Sequence, residues 1–149
     1  MGPRSTTPPT PVLYDRLECP YVMPKPTPMI SIVDDDLSVR RALRRLVLSA
    51  GYVVETFASA REFLAATPPA RPACLVLDIY LDGMNGFELQ EQLAADRITI
   101  PIIFMTAHDD AATRERIRRS GAAGYLGKPF DGQALLDAIR RVAGPGAAD

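Results

Sequence analysis

Cys74-Leu75-Val76-Leu77-Asp78 is apolar at four successive positions and stops on an acid, with the turn pair Asp82-Gly83 close behind. A strand apolar on both faces belongs in the interior of a parallel sheet, where helices cover either side. The flanking sequence agrees. Upstream, Met29-Ile30-Ser31-Ile32-Val33 is another short apolar run that stops at Asp34, Asp35 and Asp36. Residues 37–50 then place Val39, Leu43, Leu46, Val47 and Ala50 on one helical stripe, with Arg40, Arg41, Arg44 and Arg45 around it and Gly51 closing it. Residues 52–57 read as a strand. Ser59 caps a short helix carrying Phe63 and Leu64, which Pro68 and Pro69 close.

Downstream of the deciding run, residues 86–95 form a helix with Leu89 and Leu93 four apart, and residues 100–105 a strand that tolerates Pro101 only near its start. A helix over 111–120, a strand at Gly124-Tyr125-Leu126 and a helix over 132–142 carrying Leu135, Leu136 and Ile139 complete the pattern. Five strand-helix units in succession, joined by right-handed crossovers, predict an α/β domain: a doubly wound five-stranded parallel sheet with helices on both faces.

The 149 residues suffice for one domain, and 47 % apolar with 23 % charged residues excludes collagen-like, membrane and wholly disordered classes. A formal charge of -1 provides no overall field for nucleic acid or anionic lipid, so no direct nucleic-acid partner is expected. No run approaches 18 apolar residues and no secretory signal opens the chain, which makes a cytoplasmic location the expectation. Cys19 and Cys74 make neither a disulfide framework nor a zinc site. Eight of the 14 prolines precede Met29, so residues 1–28 read as a disordered or loosely docked tail, residues 29–142 as the domain, and 143–149 as a tail or the start of a linker. Translation from Met29 is a second reading of that boundary. The seven residues after 142 are not expected to form an output domain; a stand-alone unit and part of a larger regulator both fit.

In doubly wound folds ligands sit beyond the carboxyl ends of the strands. There the sequence places Asp34, Asp35 and Asp36 after the first strand, Asp78 after the third, Thr106 after the fourth and Lys128 after the fifth. Gathered carboxylates repel unless a proton or a cation settles among them. Oxygen donors without His or Cys suit Mg²⁺, or Mn²⁺. A carboxylate beside such an ion can attack phosphorus to form an acyl phosphate, and the ammonium and hydroxyl can each neutralise an oxygen of the transferring group. Asp78, Lys128 and Thr106 meet that specification.

From residue 29 to about 142 the chain resembles the receiver domain of two-component response regulators. The resemblance rests on Ile32-Val33-Asp34-Asp35-Asp36, on Leu75 through Gly86, on Met105-Thr106-Ala107 and on Gly124-Tyr125-Leu126-Gly127-Lys128-Pro129-Phe130. It implies the flavodoxin-like strand order 2-1-3-4-5, for which a member of this family is a standing example. It also implies that Asp78 accepts a phosphoryl group from a sensor histidine kinase or a histidine phosphotransfer protein. Asp34, Asp35, Asp78 and the backbone carbonyl of Tyr80 would hold Mg²⁺, Thr106 and Lys128 would grip phosphoryl oxygens, and the Lys128-Pro129 bond would be cis. Asp36 is then surplus, and reads as an acid of the first helical turn. Leu81-Asp82 stands where many receivers carry Met-Pro; with turn chemistry at Asp82-Gly83, the acid is expected to face water.

By the same resemblance Thr106 and Tyr125 form the switch, altering the face made by the fourth helix, fifth strand and fifth helix to control a downstream protein target, with phosphorylation-dependent homodimerisation as one outcome. Arg114, Glu115, Arg116, Arg118 and Arg119 around the single large aliphatic Ile117 describe a thinly anchored, solvated fourth helix. Tyr80 and His108, each two residues beyond a site residue, are expected to lengthen the life of the phosphate. Such a protein is no turnover enzyme, apart from self-phosphorylation from phosphodonors and slow autodephosphorylation. Two rivals remain at this level. One is a haloacid-dehalogenase-like phosphohydrolase with Asp34 as nucleophile, which would leave Asp78 idle; the other is a pseudo-receiver that binds partners without phosphorylation.

Overall fold

The structure, a computed structural model, describes residues 27–66 and 71–147. Residues 1–26 of the expected tail, with Cys19, and the helix-closing Pro68 and Pro69 lie outside the described residues. The elements run β1 (Met29–Val33), α1 (Leu37–Ser49), β2 (Val53–Phe57), α2 (Ala60–Ala65), β3 (Cys74–Asp78), α3 (Gly86–Ala95), β4 (Ile102–Thr106), α4 (Ala111–Ser120), β5 (Gly124–Gly127) and α5 (Gly132–Ala143). All strand pairs are parallel, in the order β2-β1-β3-β4-β5. The expected flavodoxin-like topology is therefore the observed one.

Strand periodicity sorts the core into two layers. Ile30, Ile32, Cys74, Val76, Ile103 and Met105 face α1 and α5, where Leu43, Val47, Leu135 and Ile139 meet them. Val33, Leu75, Leu77, Ile102 and Phe104 face the other side, against Phe63, Leu89, Leu93 and Ile117. Every residue of β3 and of β4 is buried, as the continuous apolar runs require.

Several local readings shift. Asp36 is the N-cap of α1 and not an acid of its first turn: its side chain accepts from the backbone N–H of Ser38 and Val39, which satisfies two donors that a helix start leaves unpaired. Tyr52 precedes β2 instead of opening it; its ring is buried and its hydroxyl donates to Gly144 O at 2.6 Å. β4 begins after Pro101, which has no N–H to give the ladder but accepts from Leu75 N. Asp78 and Thr106 are the last residues of their strands, one position earlier than expected. Asp82 is exposed while Leu81 is buried, so the acid does face water.

α4 is tied more firmly than its composition suggests. Asp110 caps it, Thr113 and Ile117 are buried, and the Arg116 guanidinium lies 4.1 Å from the centre of the Phe87 ring. Arg118 and Arg119 both pair with Glu115 and hold its carboxyl down at about 2. Arg118 and Arg119 thus pair within the helix, which is how a solvated face is stabilised, while Arg114 pairs with Asp109 just ahead of it.

Candidate functional site

The parallel sheet brings the carboxyl ends of β1, β3, β4 and β5 to one rim. Asp34 follows β1 and is completely buried, Asp78 ends β3 and is 6 % exposed, and Thr106 ends β4 and is fully buried. Lys128 follows β5 at a cis Lys128–Pro129 bond, the isomer expected. Its Nζ donates to Asp34 Oδ2 at 2.8 Å and to Asp78 Oδ2 at 3.3 Å. One ammonium therefore bridges the acids of two neighbouring strands, as the crossover order places them.

The remaining atoms of these side chains are also held. Asp34 Oδ1 accepts from Asp36 N at 2.9 Å, and the Asp34 carbonyl accepts from the Arg40 guanidinium at 2.7 Å. Asp78 Oδ1 accepts from Tyr80 N at 3.2 Å. Thr106 Oγ1 accepts from His108 N at 2.9 Å, and Thr106 O from Lys128 N at 2.6 Å. Below Asp78 the start of α3 approaches closely: a Cβ on Gly86 would lie 2.7 Å from Asp78 O and 3.0 Å from Ile79 Cα. Only glycine lets the helix seat there, and Gly86 N donates to Ile79 O at 2.9 Å. Asn85 completes the start with a reciprocal capping box to Glu88.

Burial pushes the Asp78 carboxyl above its ordinary value; the Lys128 ammonium pulls it down and the negative Asp34 adds to the upward push. For Lys128, burial works against the charge, but the hydrogen bond to Asp34 and the fields of Asp78 and Asp34 outweigh it, so its value is raised and the ammonium is kept.

Asp34, Asp35 and Asp78 each offer an oxygen within 4.8 Å of the other two. Opposite ligands of an octahedral magnesium site stand about 4.2 Å apart, so modest adjustment gathers the three around one ion. Their chemistry fits as well: three hard oxygen donors against a single ammonium leave negative charge to neutralise. The donor set matches Mg²⁺ or Mn²⁺ and no softer metal.

Two residues sit together in a way their separate readings did not foresee. The rings of Tyr80 and His108 make an edge contact, with centroids 4.6 Å apart and planes at 62°. Tyr80 is half exposed and His108 is exposed, so the pair stands at the open side of the site. Tyr125 lies on β5 opposite Phe104 and is 36 % exposed, turned outward beside Arg114. The expected site residues Asp34, Asp35, Asp78 and Lys128 are thus assembled, Thr106 and Tyr80 adjoin them, and Tyr125 stands apart on the outer surface. Sequence reasoning missed Arg40, whose contact is to a backbone carbonyl, and the close seat of Gly86 against the backbone of Asp78 and Ile79 at the end of β3.

Residues 30–140 match the response regulator receiver domain family. Nodulation protein W of Bradyrhizobium diazoefficiens is 46 % identical over 111 residues, covering 74 % of this chain and 49 % of that protein. The transcriptional regulatory protein FixJ of Azorhizobium caulinodans is 37 % identical over 125 residues, 84 % of this chain and 59 % of that one. Among solved structures, response regulator StyR superposes with a TM-score of 0.72 at 50 % identity, over 79 % of this chain and 60 % of that chain. A response regulator receiver protein from Burkholderia phymatum superposes with a TM-score of 0.70 at 45 % identity, over 80 % and 98 %. The chain spans about half the length of the curated relatives it matches. Among the described residues no helix is long and apolar enough to cross a membrane.

Proposed function

Because the chain belongs to the response regulator receiver domain family of two-component systems, we propose that it is a phosphorylation-driven switch whose acceptor is Asp78, within a receiver unit spanning residues 29–142. The donor is a phosphohistidine of a sensor kinase or of a phosphotransfer protein. An Asp78 carboxylate oxygen forms the new bond to phosphorus as the bond to the donor imidazole nitrogen breaks, and the imidazole leaves with the electron pair and takes a proton. The observation that carries this reading is the Lys128 ammonium poised between Asp34 and Asp78, where a transferring phosphoryl group would need positive charge.

Asp34, Asp35, Asp78 and the carbonyl of Tyr80 would hold Mg²⁺, which when bound would neutralise phosphoryl oxygens. Lys128 supplies the second positive group. Thr106 Oγ1 accepts from His108 N, but a hydroxyl also has one hydrogen to give, and that hydrogen is free to reach a phosphoryl oxygen. Movement of Thr106 towards the phosphoryl group would vacate space behind it and allow Tyr125 to turn inward, which changes the surface of α4, β5 and α5. Populations shift by as much as the active arrangement holds the phosphoryl group better than the inactive one. Tyr80 and His108 would screen the acyl phosphate from water and lengthen its life, a reading their ring contact supports. The output is control of a downstream protein, with dimerisation one form of that control.

The rival with Asp34 as nucleophile meets an obstacle in burial: the Asp34 side chain is 1 % exposed, against 9 % for Asp78. Incubation with Mg²⁺ and acetyl phosphate, followed by intact mass and mapping of the acyl phosphate, tests the reading. A gain of one phosphoryl group that maps to Asp78 and disappears in Asp78→Asn supports it. Label on Asp34 would overturn it, and no label at all would favour a pseudo-receiver.

A further inference from the structure

We propose that Asp109 and Arg114 form a clasp that holds the loop of residues 107–110 in its resting position, and so sets how readily the site passes to its phosphoryl-bound arrangement. The clasp rests on the reading of Asp78 as acceptor, with Thr106 and Tyr125 as the moving pair. To that reading it adds a brake, built from two side chains outside the set that would hold the ion and the phosphoryl group.

Sheet register brings the parts together. Across β4 and β5, Phe104 pairs with Tyr125 and Thr106 with Gly127. Met105 and Leu126 pack into the layer beneath α1 and α5, so strand alternation turns Thr106, Tyr125 and Gly127 to the other face, with Phe104. Gly127 has no side chain to fill its share of that face. Asp109 takes the place: a Cβ on Gly127 would lie 2.8 Å from Asp109 Oδ2 and 3.3 Å from its Cβ and Cγ. The carboxylate therefore rests on β5 opposite Thr106 in the ladder and two residues along the same face from Tyr125. A ring turning inward from position 125 has to cross that ground.

Arg114 fastens the plug. Its Nη1 donates to Asp109 O at 2.9 Å and to Asp109 Oδ1 at 3.1 Å, so one nitrogen fixes both the backbone and the side chain of the same residue. The hydrogen bond and charge of Asp109 raise the Arg114 value against the effect of burial, and Tyr125 adds to the rise, which makes carboxylate, guanidinium and ring one cluster. Arg116 lies over Phe87 and Arg118 and Arg119 pair with Glu115, whereas Arg114 reaches back onto the loop. The same loop carries the partner of the switch hydroxyl, because His108 N donates to Thr106 Oγ1 at 2.9 Å. A clasp on Asp109 thus acts on Thr106 through the adjacent residue. Its side chains are 44 % and 46 % exposed, so the brake is a weak one, worth a few-fold.

Full-length chains carrying Asp109→Ala or Arg114→Gln are to be compared with the wild type and with Arg118→Gln, a control on the same helix. Without any phosphodonor, hydrogen exchange at the His108 amide, corrected for intrinsic rates, should rise about two- to fivefold in the first two and stay level in the control. Titration with beryllofluoride and Mg²⁺, followed by the amide shifts of Tyr125 and Gly127, should reach half-saturation at a concentration lower by about the same factor, because a larger share of the protein is competent to bind. The two substitutions remove charges of opposite sign. Simple attraction of an anion would therefore move their half-saturation points in opposite directions, whereas release of a clasp moves both downwards. Unchanged His108 exchange in both variants, or half-saturation points that part in opposite directions, would overturn the proposal. Absence of any beryllofluoride-dependent shift at Asp78 in the wild type would instead sink the acceptor reading, and the exchange comparison would still decide whether the clasp holds the loop.

Discussion

Tyr80 and His108 touch ring to ring at 4.6 Å although one follows β3 and the other β4. The same two residues donate their backbone N–H groups to Asp78 Oδ1 and Thr106 Oγ1. Each loop thus turns back on its own strand-end side chain and sends a ring outward to meet the other. Asp78 and Thr106 are thereby coupled through their neighbours.

If the ring pair screens the acyl phosphate from water, Tyr80→Ala and His108→Ala should each speed its loss by a few-fold, on the order of 1 kcal/mol in barrier height. Because the rings contact each other, the double variant should lose less than the sum of the two. Decay after removal of phosphodonor measures this, and two unchanged rates would refute it.

Lys128→Met removes the ammonium held between Asp34 and Asp78 and leaves two neighbouring buried carboxylates without it. We expect a loss of roughly 2–3 kcal/mol in urea unfolding, less than for a fully enclosed pair because Lys128 is 22 % exposed at its side chain. Added Mg²⁺ should return part of it by replacing the missing positive charge. An unchanged midpoint without Mg²⁺ would contradict the prediction.

Gly86→Ala and Gly83→Ala should differ in kind. The first drives a Cβ to 2.7 Å from Asp78 O, a backbone atom that cannot step aside, and should cost about 1–3 kcal/mol while shifting the amide signals of residues 78–80. At Gly83, φ is +76° with nothing within 4 Å, so only backbone strain of about 1 kcal/mol applies. Equal effects of the two substitutions on the site signals would argue against the close approach as the cause.

Burial pushes the Cys74 thiol up to about 12 from an ordinary value of 9.0. The unfolded chain therefore gives up this proton at a lower pH than the folded one. The associated stability is complete below about pH 9 and declines as pH rises through the interval towards 12. In a Cys19→Ser background, a thiol reagent at pH 8 should react only as fast as the protein unfolds, and reaction at the rate of a free thiol would disprove the burial.

Much of this protein is legible in one dimension. The alternation of short apolar runs with helical stripes is enough for a parallel doubly wound sheet, because strand period, helix period and crossover handedness leave few other arrangements. The identity of Asp34, Asp35, Asp78, Thr106 and Lys128 as strand-end residues follows from the same pattern. Asp36 was misplaced by one helical position because a carboxylate at the cap and one in the first turn look alike in sequence, and only the backbone angle of Asp36 separates them. What no sequence pattern contains is distance between loops. The Lys128 bridge, the Tyr80–His108 contact and the Arg116–Phe87 stack all join residues from different crossovers. Local periodicity dictates which face each strand buries, whereas the twist and packing of the whole sheet decide which loop tips meet, and that depends on every layer at once.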